Sequence, residues 1–153
     1  MAAQAGPHPG PDQLQAGQPE ILLHNSDNST VGTLTVSKPV VTTSPADPSY
    51  GSRPAHGWYV IFKVTAAADP TNHDSWWVSP GDLHAVVDGQ HYDEGDGNAY
   101  QALTDSQSAT DLSATLGAGE SVTSYLAFDV PSPHGQIAYA PNSDGQPVTV
   151  WSY

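Results

Sequence analysis

Cysteine is absent from this chain, which removes disulfide staples, zinc-cysteine sites, iron-sulfur clusters and a thiol nucleophile together. At 153 residues the chain is long enough to bury a core without cross-links, so the absence leaves the compartment open. Strong cations are scarce too. Lys38, Arg53 and Lys63 stand against sixteen carboxylates. Phosphate binding by counterion release needs clustered Lys and Arg, so nucleic acid is not an expected partner, and the same sign disfavours an anionic lipid surface. The charge of −13 provides solubility through self-repulsion and an attraction for cations. No run of about eighteen apolar residues exists, so no helical membrane span is expected. Glu20, Glu94 and Glu120 are the only glutamates and are too scattered for a paired-carboxylate hydrolase. No serine sits in a G-x-S-x-G context. A hydrolase is therefore a third reading, with no catalytic residue assigned.

What the chain does contain is Thr, Ser, Asp, Gly and Pro in quantity, the usage of short strands joined by turns. The first nineteen residues carry four prolines, three glycines and one sizeable apolar side chain, Leu14. Ordering them costs more entropy than their burial returns. Residues 1–19 are expected to be a disordered arm of the kind left after a targeting segment is removed, with Met1 an added start residue. Residues 20–153 are expected to form a single domain.

Within that domain the apolar period is two. Trp58, Val60, Phe62, Val64 and Ala66 alternate with Tyr59, Ile61, Lys63 and Thr65, and the apolar outer row marks a central strand. In Ser121 to Val130, the residues Val122, Leu126, Phe128 and Val130 share one side, with Thr123, Tyr125, Ala127 and Asp129 on the other. Gln136 to Tyr139 and Val148 to Trp151 read as two more strands. Glu20 to His24 and Val31 to Thr43 are further extended runs, the latter bent or edged at Pro39. Asp88-Gly89 is the signal of a two-residue type I′ hairpin, pairing Val87 with Gln90, Val86 with His91, Ala85 with Tyr92 and His84 with Asp93. The long Pro-rich segment Ser44 to Gly57 is either functional or mobile. Seven or eight strands at this spacing predict an all-β, immunoglobulin-like, two-sheet antiparallel β-sandwich.

The ending LGAGESVTSYLAFDVPSP…GQIAYAP…PVTVW, preceded by GWYVIFKVTA and VVDGQHY, resembles the small immunogenic extracellular protein family of mycobacteria and related Ig-like domains of actinobacterial secreted proteins and lipoproteins. The matching positions are Gly119, Glu120, Phe128, Asp129, Val130, Pro131, Pro133 and Trp151. The resemblance implies an antiparallel sandwich outside the cytoplasm, secreted or at the cell surface. It implies no enzymatic activity, since that family has no established catalytic residues to carry over. The Pro-rich segment Thr43 to His56 and several histidines depart from the pattern.

Two sites follow from the residues. On the outer face of the hairpin, His84 and His91 are diagonal cross-strand neighbours, about 7–8 Å apart between Cα atoms. They are spaced to share a zinc or copper ion with Asp93 or Asp82 as an oxygen ligand, and the alternative is a solvated strand face. The loop Asp93 to Asn98 lacks the spacing of a calcium site. Adjacent Trp76 and Trp77 cannot both face inward on a strand, so one is exposed and the pair is the candidate partner contact. The expected role is a non-enzymatic module, monomeric or weakly oligomeric, binding a protein or cell-envelope component. The alternative is a zinc- or copper-binding protein using His84 and His91.

Overall fold

The computed structural model describes residues 3, 4, 10–24 and 26–153. Its thirteen strand segments are β1 (Ala3–Gln4), β2 (Asp12–Gln15), β3 (Pro19–His24), β4 (Thr30–Val36), β5 (Val40–Thr42), β6 (Trp58–Ala68), β7 (Trp76–Val78), β8 (Leu83–Val87), β9 (Gln90–Asp93), β10 (Ala114–Leu116), β11 (Ser121–Val130), β12 (Gln136–Tyr139) and β13 (Thr149–Ser152). One sheet has the order β1-β3-β4-β6-β11, with β5 also on β6. The other runs β2-β13-β12-β8-β9, and β7 with β10 makes a separate ribbon. This is the expected β-sandwich. The excess over seven or eight strands comes from short segments such as β1, β5, β7 and β10. Pro39 divides the run beginning at Val31: β4 pairs with Val64 to Ala68 of β6, and β5 with Tyr59 to Ile61.

Alternation builds the core between the sheets. Val60, Phe62 and Val64 of β6 and Leu126, Phe128 and Val130 of β11 meet Leu83, Ala85, Val87, Ile137, Tyr139 and Trp151 of the second sheet. Phe62 stacks edge-on against Phe128 and Tyr153, with ring centres 6.0 and 5.1 Å apart. The outer row of β6 is apolar for a separate reason. Tyr59 and Ile61 pack with Ala127 under Ala99, Ala102 and Leu103, which arrive on the 3-10 helix Ala99–Ala102 and its cap. A four-residue helix, Asp105–Ser108, follows it behind a capping box at Thr104.

The disordered arm expected over residues 1–19 is corrected at Ala3–Gln4, which pair with β3, and from Gly10 onward, while Met1, Ala2 and residues 5–9 lie outside the described part. Asp12–Gln15 pairs in parallel with β13, Leu14 opposite Trp151, and Ala16 is buried. The chain then crosses to the other sheet as β3, so β2 and β3 embrace one end of the sandwich. Trp151 donates its indole N–H to the Gln18 carbonyl in that crossing, at 2.9 Å. A lone Leu14 suffices because the remaining stabilisation comes from ladder hydrogen bonds to a distant strand, which composition does not register.

Candidate functional site

The hairpin forms in the expected register, with all four pairs from His84↔Asp93 to Val87↔Gln90. Asp88 and Gly89 adopt φ of 49° and 78°, the left-handed turn that Asp-Gly accommodates. Leu83, Ala85 and Val87 are buried, and Tyr92 packs partly against them. On the opposite face the rings of His84 and His91 lie 6.2 Å apart. His84 Nδ1 and Asp93 Oδ1 are 2.9 Å apart, so Asp93 holds a nitrogen of His84 and stands behind it. Burial raises the Asp82 carboxyl above its ordinary range.

A tighter set was not anticipated. His24, His73 and Asp74 have ligating atoms that all lie within 4.8 Å of one another. His24 ends β3 and the other two come from the connection between β6 and β7. The His24 and His73 rings are perpendicular at 4.8 Å. Asn72 Oδ1 takes His24 Nε2 at 2.7 Å and the Asp74 backbone N–H at 3.3 Å. Asp27 Oδ2 is 3.4 Å from His73 Nε2, while Oδ1 of Asp27 accepts the Ser29 hydroxyl and amide. These bonds, the hydroxyl's first, hold the Asp27 carboxyl below its ordinary range. Strand order is what unites the set: β3 and β6 flank β4. No local spacing announces it.

Trp76 and Trp77 separate as alternation requires. Trp76 is 5% exposed and Trp77 59%. As a partner contact Trp76 is corrected: its indole fills the core and donates to the Tyr139 hydroxyl at 3.4 Å. It also lies over Gly32, where a Cβ would come within 2.4 Å of the Ala67 carbonyl and 2.8 Å of the Trp76 ring. Trp77 stands outward on β7, opposite Thr115 of β10.

The Pro-rich segment is held in place. Asp129, 1% exposed, accepts backbone N–H groups of Ala55 at 2.6 Å, His56 at 2.8 Å and Asn98 at 2.9 Å. Tyr59 donates its hydroxyl to the Ser52 carbonyl, and the Asn98 amide to that of Arg53. Ser52 N–H also reaches Gln101 Oε1. Gly97 is pressed against Asp129, leaving no room for a side chain. A cleft of about 570 Å³ opens between this segment and the 3-10 helix, lined by Tyr50, Ser52, Gln101 and Leu103 among others. At the opposite junction Glu20 is buried and accepts the Thr149 hydroxyl at 3.1 Å. Desolvation, reinforced by Asp12, pushes its pKa up to about 7.

No protein-family model and no curated protein matches the chain. Among solved structures, a secreted protein from Mycobacterium tuberculosis, MPT63, superposes with a TM-score of 0.61. The match covers 95% of this chain and 100% of that one at 18% sequence identity. The sandwich implied by the resemblance is thereby upheld at the level of fold.

Proposed function

We propose that this chain is a non-enzymatic, secreted or cell-surface module that binds a protein or cell-envelope component through Trp77. The observation that carries the reading is the contrast between neighbours: Trp76 is locked in the core while Trp77 is 59% exposed. A large aromatic on a backbone fixed from beneath loses little entropy when it meets a partner, the property of interface anchors. The description of the structural neighbour as a secreted protein supports export. The test is retention of the labelled protein on isolated actinobacterial envelope fractions. Trp77→Ala is expected to weaken retention at least about tenfold, the loss typical of an anchor, with an unchanged melting temperature. Equal retention of both proteins would remove Trp77 from the reading.

A second reading places Zn²⁺ or Cu²⁺ on the hairpin, favoured by the contact of His84 with Asp93. A carboxylate behind one nitrogen orients the other toward an ion, so His84 Nε2 and a nitrogen of His91 are the ligands, with Asp93 behind. Melting temperature should climb with metal concentration. The double variant His84→Ala, His91→Ala should abolish the climb.

A further inference from the structure

We propose that His24, His73 and Asp74 bind one divalent transition-metal ion, Zn²⁺ fitting best, where the end of β3 meets the connection between β6 and β7. Two imidazoles and a carboxylate are a borderline-soft donor set suited to Zn²⁺ and poorly suited to Ca²⁺ or Mg²⁺. Their ligating atoms lie within 4.8 Å of one another, and His24 Nδ1 is 3.9 Å from Asp74 Oδ2. A tetrahedral ion with bonds of about 2.0–2.1 Å sets its ligand atoms roughly 3.3 Å apart. The contraction required is small, and it falls on side chains free to make it: His73 and Asp74 are about half exposed, whereas His24 is fixed.

The surroundings carry the argument beyond proximity. Asn72 Oδ1 can only accept, so His24 Nε2 is the nitrogen that donates to it at 2.7 Å. In the neutral ring Nδ1, the atom facing Asp74, then carries the lone pair that a metal needs. Asp27 stands in the same relation to Nε2 of His73, at 3.4 Å. An oxygen acceptor behind each imidazole is the arrangement that orients metal-binding histidines. Asn72 is itself buried, and its Nδ2 has no hydrogen-bond partner among the described residues. Leaving a buried amide donor unpaired is costly, and the bonds that Asn72 does make are at the other end of the amide. Here that end fixes the His24 ring and the Asp74 backbone together. Water completes the fourth position, and the exposed side of the site gives the ion its entry. The strongly negative chain supplies long-range attraction.

The test is calorimetric titration of the metal-free full chain with Zn²⁺, read beside melting temperature. His24→Ala removes a fully buried side chain and is avoided. The half-exposed positions are changed instead, as His73→Ala and Asp74→Asn. The wild type should bind one equivalent and show a melting temperature that climbs up to about 100 µM Zn²⁺. Each variant should lose affinity by about tenfold or more while keeping the metal-free melting temperature. Absence of binding by the wild type would overturn the site, as would full affinity in both variants. Loss of binding in the His84→Ala, His91→Ala protein alone would move the ion to the hairpin and refute this assignment while sparing the second reading above.

Discussion

Replacing Asp129 by asparagine tests whether one buried carboxylate holds the Pro-rich segment onto the sheet. Oδ2 receives the amides of Ala55 and Asn98, and Oδ1 that of His56. An asparagine oxygen in place of Oδ2 keeps two of these bonds as neutral ones, while its NH₂ group meets the His56 N–H donor to donor. Hydrogen bonds to a charged group contribute about 1.5–3 kcal/mol each, so losing one and weakening two costs about 2–3 kcal/mol. For a chain of this size that corresponds to a fall of roughly 5–10 °C in melting temperature. Asp129→Ala removes all three bonds and should cost somewhat more, about 3–4 kcal/mol. Urea unfolding followed by tryptophan fluorescence reads the loss as a lower midpoint at unchanged slope. Hydrogen exchange locates it: the Ala55, His56 and Asn98 amides should lose more protection than those of β6 and β11. An Asp129→Asn protein within about 0.5 kcal/mol of wild type would refute the reasoning.

Glu20, whose folded pKa is pushed up to about 7, keeps a proton that the unfolded chain has released between about pH 4.5 and 7, so its contribution to stability falls as pH rises through that window. Glu20→Gln should therefore relieve about 1–3 kcal/mol above pH 7 and little near pH 4.5; urea midpoints at the two pH values check it, and an unchanged pH slope would count against the buried acid. Trp76→Ala should cost about 3–5 kcal/mol by opening a cavity, whereas Trp77→Ala should stay within about 0.5 kcal/mol. Melting temperatures of the two variants decide this, and equal losses would contradict the placement of the ribbon.

Much of this fold is legible wherever a residue answers to its neighbours in the chain. Asp88-Gly89 sets the hairpin register, and period two places Val60 and Phe128 inward. Alternation also forces one of the adjacent tryptophans out. What escapes is whatever depends on residues far apart. β2 offers only Leu14 to a sequence reader, because its partner strand lies more than a hundred positions away. Asp129 falls on the outer row of β11 and so reads as a surface carboxylate, until the connections that fold over it bring amides to its oxygens. His24 and His73 share no motif spacing and meet because β4 alone separates β3, which ends at His24, from β6, which leads into the connection holding His73. The hairpin histidines were visible for the opposite reason: a two-residue turn fixes their separation locally.

The parallel pairing of Asp12–Gln15 with the final strand has a mechanical consequence. Tension drawn outward through Asp12 and Ser152 runs along both strands in opposite senses, so their bridging hydrogen bonds are loaded side by side and must rupture together rather than unzip one at a time. A pull applied at those two residues would meet its resistance at that clasp before the sandwich behind it yields.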